Sequence, residues 1–432
     1  MRTKSVHVEH LTRVEGHGNI LFNARDGRIE KVQWQVSEAP RLFESFVRGR
    51  HYSEMSHLVS RICGICSIGH VLSSLKATEV AMNIDVSEQT VMLRRMALHG
   101  ENMQSHILHI GYLVAPDLFR VGSVFPLLES HPDAVRAIVK LHRLANEMSD
   151  LVCGRTTHPI TLTVGGFTMV PKEKNLSELR QNLINILPVC DAVATTILDA
   201  IHMLPDFKRE TEYIGLVSDE GYALYDGMIG STDTGRHPVA EYESVVNEVV
   251  VPQSTAKYCN HARESYMVGA LARLNLNGGK LMPRAKQWAQ RFGLTPIIIN
   301  SFMNTVAQMV EYFHSVEESI SLIDTLLEKG LVREDTTQFK VMAGRGVGAV
   351  EVPRGILFHD YTYDREGKCV KANCVIPTNQ NHNNIQHDME AIAPQLLGKS
   401  EREIELTLEM LVRAYDPCIS CSTHYLRVGF MK

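Results

Sequence analysis

Two cysteine pairs at opposite ends of the chain place the strongest constraint on its fold. Cys63 and Cys66 stand in RICGICSIGH, and Cys418 and Cys421 stand in DPCISCSTH. A C-x-x-C turn brings two thiolates within reach of one ion, and thiolates are ligands for soft or borderline metals. The first cysteines of the two pairs are 355 positions apart. We therefore expect a fold that brings both ends of the chain to one site with four sulfur ligands.

The cysteines alone leave the metal open. A structural zinc ion takes four cysteines, but its pairs usually stand about 15–20 residues apart. An iron–sulfur cluster also fits the ligand type. A thioredoxin-like redox role is disfavoured, because there are two pairs and no short βαβ unit surrounds either. An odd total of nine cysteines argues against a disulfide framework. Five scattered cysteines are typical of small buried hydrophobic residues: Cys153, Cys190, Cys259, Cys369 and Cys374.

Composition and charge exclude several classes of protein. A chain of 432 residues can bury a large core, and its net charge of −5 does not predict a nucleic-acid surface. No run of about 18 apolar residues appears, so direct membrane insertion is not expected. The N-terminus lacks the apolar core of a secretory signal. We predict a cytoplasmic protein, although a partner carrying a signal could still transport it.

Hydrophobic periodicity predicts a mainly α fold with peripheral β-sheet, in the α+β class. Apolar residues alternate near the N-terminus and recur at helical spacing through most of the middle. We expect Pro188 to interrupt one long helix, and Pro417 to end the last one. A single domain over residues 1–432 is predicted, with an N-terminal sheet at about 1–40, a helical core at about 41–205 and 290–335, a peripheral sub-domain at about 206–260, and a C-terminal sheet with a metal-binding tail at about 340–432.

The residues around both pairs carry a family resemblance. His70 stands four residues after Cys66, and His424 stands three residues after Cys421. R-x-C-G-x-C-x-x-x-H near the start and D-P-C-x-x-C-x-x-H near the end resemble the paired signatures of the large, catalytic subunit of [NiFe] hydrogenases. The resemblance implies that family's fold, with a central helical bundle, and reversible cleavage of H2 into a hydride and a proton. It is strongest to the cytoplasmic, multi-subunit group, which comprises NAD(P)-linked, F420-non-reducing and bifurcating enzymes.

The resemblance also implies how the metals are held. Cys63 and Cys418 would be terminal ligands of nickel, and Cys66 and Cys421 would bridge nickel to iron. The iron would carry one carbon monoxide and two cyanide ligands.

A second, hard metal is also implied, usually magnesium, which prefers oxygen ligands and retained water. RLFESFVRGR resembles the segment that supplies a carboxylate to this ion, here Glu44. His424 and a backbone carbonyl near Cys374 would complete the protein ligands.

Four residues match the family's catalytic segments. Cleavage of H2 needs a base beside the metal. The resemblance makes Cys418 the first base, and RVEGH makes Glu15 the next proton acceptor. EVPRGILFHD would place the guanidinium of Arg354 over the open metal position, with Asp416 as its partner.

Three further residues would surround the metals. CVIPTNQN resembles the strand lining the iron, where Pro377 and Thr378 would shape the cyanide pocket and the Thr378 hydroxyl would donate a hydrogen bond. His70 would hydrogen-bond a cysteine sulfur and tune it.

The sequence contains no further cysteine cluster that could hold an iron–sulfur relay, so electrons need another subunit to leave the site. We therefore expect a small partner subunit with Fe–S clusters, and further diaphorase or electron-transfer subunits. No G-x-G-x-x-G fingerprint is present, so any flavin or nucleotide would bind those subunits. The resemblance further implies a nickel-insertion chaperone and a maturation endopeptidase that removes YLRVGFMK after His424. An H2-sensing regulatory hydrogenase and a structural four-cysteine zinc protein are the alternatives.

Overall fold

The computed structural model describes residues 3–423. The predicted magnesium ligand His424 and the predicted cleavable extension lie outside the described residues.

Three antiparallel strands open the chain, as the alternating sequence predicts. The sheet order is β1–β2–β3, and the strands are Thr3–Val8, Gly18–Arg25 and Arg28–Val36. The turn between β2 and β3 is Asp26–Gly27, where both residues have positive φ angles of 49° and 76°. Such a two-residue turn matches the twist of a hairpin.

Thirteen helices follow in the described part of the chain, and they form most of the structure. They are α1 Phe43–Val47, α2 Tyr52–Val59, α3 Ser67–Met82, α4 Glu88–Leu108, α5 Ala115–Leu118, α6 Leu127–Ser130, α7 Pro132–Cys153, α8 Glu173–Ala200, α9 Ala270–Asn277, α10 Pro283–Arg291, α11 Asn304–Lys329, α12 Pro377–Leu396 and α13 Glu401–Ala414. The long helices α4, α7, α8 and α11 pack on one another as a central bundle. The predicted mainly α class with peripheral sheet is confirmed.

The other strands form small sheets around this bundle. They are β4 Leu162–Thr163, β5 Gly166–Phe167, β6 Glu212–Val217, β7 Met228–Ser231, β8 Gly235–His237, β9 Asn247–Val249, β10 Tyr258–Asn260, β11 Tyr266–Met267, β12 Gly344–Val352, β13 Gly355–Tyr363 and β14 Cys369–Val375. Strands β6 to β10 fall within the predicted peripheral region, and β12–β13–β14 form an antiparallel sheet. The division into sub-domains stays a prediction.

Helix α3 lies unusually close to strand β12, and this contact positions the first cysteine pair. Gly344, Gly346 and Gly348 alternate along β12, and a Cβ atom at each would collide with a backbone carbonyl of α3. Because glycine has no Cβ, the strand can approach the helix backbone directly. The N-terminus of α3, which follows Cys66, is thereby fixed against the C-terminal sheet.

One expectation about the helices is wrong. Helix α8 continues through Pro188 without interruption, since it is helical from Glu173 to Ala200. Helix α12 was not predicted, because its segment is rich in Asn, Gln and His rather than apolar residues. These polar side chains are buried and hydrogen-bonded, as when Asn384 accepts from Thr211 and donates to Tyr415.

One helical segment among the described residues, Glu173–Met203, is long and apolar enough to cross a membrane by length and composition. This is weak evidence, because the core helix of a soluble protein passes the same test. The segment packs against α7 and α11 through a buried stripe that includes Leu176, Leu179 and Leu183.

A buried cluster of charged side chains connects helices α9 and α11 with strand β12. Arg273 of α9 donates to both oxygens of Glu311 at 2.7 Å and to Glu351 at 2.8 Å. All three side chains are at most 2% exposed. Because all three charges are removed from water, each one is stabilised by its oppositely charged neighbours, and the loss of one leaves the others uncompensated.

Replacing Arg273 with leucine is expected to lower the free energy of unfolding by about 3–5 kcal/mol, because Glu311 and Glu351 lose their buried counter-charge. Urea denaturation of the purified chain measures this effect. Arg236→Leu is the control, since Arg236 pairs with Asp219 at an exposed site and its replacement should have little effect on stability. Equal losses in the two variants would contradict the expectation.

Candidate metal centre

The structure brings the four paired cysteines to one buried site. The Sγ atoms of Cys63, Cys66, Cys418 and Cys421 all lie within 4.8 Å of one another. The closest approach between the pairs is 3.5 Å, between Cys63 and Cys418. Cys418 and Cys421 are joined as a disulfide here, and metal binding requires them reduced because the thiolate is the ligand.

The first pair sits at the N-terminal end of α3. The backbone N–H groups of Ile65 and Cys66 donate to Cys63 Sγ at 3.3 Å and 3.2 Å. A hydrogen bond between the Cys66 and Cys63 side chains lowers the pKa of the Cys63 thiol, whereas the same bond and burial raise the pKa of the Cys66 thiol. The turn therefore favours a thiolate at Cys63, and a second thiolate needs a bound cation.

The second pair is held between the two ends of the chain. The Cys418 N–H donates to the Thr378 hydroxyl at 3.0 Å, and the Ile419 N–H donates to the Glu15 carbonyl at 2.9 Å. Asp416, two residues before Cys418, has a positive φ of 51° that turns the chain into the site. Residues from the first and last twenty positions of the chain thus build one local structure.

Glu15 places a carboxylate directly beside the sulfurs. Its Oε2 lies 3.2 Å from Cys418 Sγ and accepts from the Ser420 N–H at 3.0 Å. A carboxylate at this distance can receive a proton from a protonated Cys418.

Arg354 and Asp416 form a buried ion pair at the same site. Arg354 Nη2 donates to Asp416 Oδ1 at 2.9 Å, and its Nε donates to the Asp416 carbonyl. Burial opposes the charge on Arg354, but Asp416 and the sulfurs of Cys66 and Cys63 outweigh it and raise the pKa. Arg354 Nη1 is buried without a hydrogen-bond partner among the described residues. The guanidinium therefore retains a donor for a bound group.

Pro377 and Thr378 differ from the expected strand. Strand β14 ends at Val375, and Pro377 is the first residue of helix α12. The restricted φ of proline suits the first helical position. Thr378 accepts from Cys418, which leaves its own O–H proton for another acceptor.

The other two predicted residues, His70 and Glu44, are buried. His70 Nδ1 shares a hydrogen bond with His359 Nε2 at 3.0 Å, and its predicted bond to a cysteine sulfur stays a prediction. Glu44 Oε1 accepts from the Cys374 N–H at 3.0 Å, which places the carboxylate next to that backbone. A magnesium ion at Glu44 also stays a prediction.

Glu101 is a fully buried carboxylate on α4 that no sequence motif identified. Its oxygens accept from the Ile68 N–H at 2.7 Å and the Gly69 N–H at 3.1 Å, just after Cys66. Its neighbours in GENMQSH are mostly polar, so no local signal distinguished it from an exposed charged residue.

The donor set fits nickel and iron. Four buried sulfurs suit soft or borderline metals. The nearby guanidinium of Arg354 would orient bound ligands, and the carboxylate of Glu15 would accept protons.

Comparisons with known proteins agree with this chemistry. A family model described as nickel-dependent hydrogenase matches residues 41–137 and 253–424. The alpha subunit of sulfhydrogenase 2 from Pyrococcus furiosus is 30% identical over 98% of this chain and 100% of its own length. A subunit of the F420-non-reducing hydrogenase from Methanothermobacter marburgensis is 30% identical over 96% of this chain and 94% of its own. The beta subunit of the NAD-reducing hydrogenase HoxS from Cupriavidus necator is 28% identical over 97% of this chain and 94% of its own.

The fold has a solved counterpart. The crystal structure of an NAD+-reducing [NiFe]-hydrogenase in the H2-reduced state superposes with a TM-score of 0.88 at 27% identity. The match covers 98% of this chain and 100% of that one. With the family model matching more than half of its residues, this chain belongs to the nickel-dependent hydrogenase family.

Proposed function

We propose that this chain cleaves H2 reversibly at a nickel–iron centre held by Cys63, Cys66, Cys418 and Cys421, and that Glu15 carries the proton away. The observation that supports this most directly is the carboxylate of Glu15 lying 3.2 Å from one of four clustered, buried sulfurs. When bound, the two metals supply the electrophilic site that polarises H2.

The residues of this chain then accept the proton and transfer it away from the site. Cys418 would be the first base, because its Sγ is the sulfur that lies 3.2 Å from the Glu15 carboxylate. Glu15 would receive the proton next. The Ser420 N–H donates to Glu15 Oε2 and holds the carboxylate beside Cys418.

Arg354 supplies a fixed positive charge beside the sulfurs. Its two contacts with Asp416 hold the guanidinium plane, and the buried Nη1 faces no acceptor among residues 3–423. A preorganised cation in a buried site stabilises charge that develops during H2 cleavage.

The finer composition of the site is also proposed. Carbon monoxide and two cyanide ligands would complete the iron, with Pro377 and Thr378 lining the cyanide pocket and His70 tuning a sulfur. A magnesium ion would take Glu44, the Cys374 carbonyl and His424, because carboxylate, carbonyl and imidazole leave room for retained water.

Electrons leave through a partner. Among residues 3–423, the four cysteines form the one cluster of His, Cys, Asp and Glu that could hold a metal ion. The names of the relatives describe subunits of larger enzymes, including NAD-reducing and F420-non-reducing ones. We propose a small Fe–S subunit, diaphorase or electron-transfer subunits that bind flavin and nucleotide, a cytoplasmic location, and maturation by an endopeptidase and a nickel-insertion chaperone.

Metal analysis of the purified native complex tests the proposal. We expect about one nickel per chain, iron beyond that of the Fe–S subunits, infrared bands from metal-bound CO and cyanide, and H2-dependent reduction of a dye acceptor. Zinc in place of nickel would overturn the assignment. Normal metal content with very slow turnover would favour the H2-sensing alternative.

Arg354→Lys is expected to lower H2 turnover by about 10–100-fold while both metals stay bound. Lysine keeps the charge, but a single ammonium cannot reproduce the two contacts with Asp416. Turnover with a dye acceptor and metal content per chain measure the effect. Arg236→Lys at the exposed Asp219 pair is the control and should keep normal turnover. Full activity in Arg354→Lys would remove the fixed guanidinium from the mechanism.

A further inference from the structure

Glu101 is a buried carboxylate that the proposed mechanism does not use. It lies in the middle of α4 with 0% exposure, against the first turn of α3. Glu101 Oε2 accepts from the Ile68 N–H at 2.7 Å, and both oxygens accept from the Gly69 N–H at 3.1 Å.

These contacts act on the turn that carries the first cysteine pair. The first amides of a helix have no partner within the helix, and the partial positive charge there favours an anion. Cys66 immediately precedes α3, and Ile68 and Gly69 are the second and third residues of that helix. Glu101 therefore holds the backbone directly after a metal ligand.

The chain makes room for this carboxylate. A Cβ atom at Gly69 would lie 2.9 Å from Glu101 Oε1 and would also collide with Val352. Gly100, the neighbour of Glu101, lets α4 approach Ser149 of α7, where a Cβ atom would lie 2.7 Å from the Ser149 hydroxyl. Two close approaches thus bring the carboxylate under the cysteine turn.

The carboxyl of Glu101 interacts electrostatically with the site. Burial and the charge of Cys63 raise the pKa of this carboxyl to about 8, while the amides of Gly69 and Ile68 and the charge of Arg354 act in the opposite direction. The Glu101 charge also acts on Cys66, where it raises the pKa of the thiol. Its hydrogen bonds with Ile68 and Gly69 come from N–H donors, which a carboxylate accepts better than a carboxylic acid.

We propose that Glu101 is a positioning residue for the metal centre: its carboxyl holds the Cys63–Cys66 turn in metal-binding geometry and, when ionised, supplies a negative charge that acts on the two thiols. This inference rests on the proposed function. It predicts two separable effects, one on metal retention through the hydrogen bonds and one on the nickel potential through the charge.

The test uses the native complex with variants at Glu101 and at a matched control. Glu212 is the control, since it is a carboxylate with 0% exposure that accepts from Ser231, His261 and the Ala262 N–H in the peripheral sheet. Nickel per chain is measured for Glu101→Ala and Glu212→Ala. The midpoint potential of the nickel centre is measured for Glu101→Gln and Glu212→Gln by EPR-monitored redox titration at a pH above about 8, where the carboxyl of Glu101 is ionised in the wild type.

We expect Glu101→Ala to hold at least threefold less nickel than Glu212→Ala. Removing a negative charge favours the reduced state, so Glu101→Gln should raise the one-electron reduction constant about tenfold, or about 59 mV. Glu212→Gln should leave the potential unchanged.

Equal nickel in the two alanine variants, or no shift of potential in Glu101→Gln, would overturn the proposal. If Glu101→Gln is recovered without metal, Glu101→Asp decides. Aspartate keeps the charge, so nickel at least threefold above Glu101→Gln supports the role, and nickel equally low overturns it. A wild-type complex without nickel would overturn the proposed function and this inference together. If the wild-type complex holds nickel normally, a negative result with the Glu101 variants overturns only the role of Glu101.

Discussion

Replacing Cys421 with alanine is expected to abolish H2 turnover, with a loss of at least about a thousandfold, or about 4 kcal/mol of transition-state stabilisation. Cys421 is fully buried, and its Sγ lies within 4.8 Å of the other three sulfurs. Alanine offers no ligand atom. The remaining three sulfurs cannot hold both metals in one closed site.

Metal content and H2 uptake of the purified complex measure this loss together. Cys190→Ala is the control, because Cys190 is a buried cysteine on α8 in the apolar core of the bundle. It should lose some stability through a small cavity but keep its metals and its turnover. Nickel retained in Cys421→Ala at the level of Cys190→Ala would contradict the four-sulfur assignment.

Glu15→Gln is expected to lower turnover by about 10²–10⁴-fold with nickel and iron retained. Glutamine keeps the size of the side chain and can still accept from the Ser420 N–H, so the local backbone should persist. It cannot take up a proton beside Cys418, so the proton route is blocked after its first step.

Isotope exchange separates this effect from a general loss of structure. Exchange between D2 and water protons should fall along with turnover, while the metal content and EPR spectrum of the nickel stay close to those of the wild type. Glu9→Gln is the control, since Glu9 is an exposed residue of the same N-terminal region. Near-normal exchange in Glu15→Gln would remove Glu15 from the proton route.

Much of the site was predictable because its signals are local. Two residues between paired cysteines fix the distance between their sulfurs, and the motifs around them are short. Glu15, Arg354 and Asp416 were predicted from such motifs, and in the structure Glu15 lies beside Cys418 while Arg354 pairs with Asp416. Most elements of the fold were also predictable, since β1 to β3 alternate and α4, α7 and α11 have clear apolar periodicity.

The misses share a different cause. Helix α12 and the continuous α8 are decided by packing, where buried hydrogen bonds stabilise Asn and Gln and neighbouring helices hold the turn at Pro188. Glu101 and Arg273 looked like ordinary charged residues on helices, because nothing local reveals that a side chain will be buried.

The order of residues was sufficient to identify the metal-binding chemistry and the family, because ligand type and short spacing survive without knowledge of the fold. It could not identify which amides Glu101 would meet, or that Arg273 would be buried between Glu311 and Glu351. Those partners lie apart in the chain. Glu101 meets its amides only when α4 packs on α3, and Arg273 meets its two carboxylates only when α9, α11 and β12 come together. A charge that is removed from water needs a partner. Burial therefore gives Glu101 its contacts with the Cys63–Cys66 turn, and it gives Arg273 its ion pairs with two other elements of the fold.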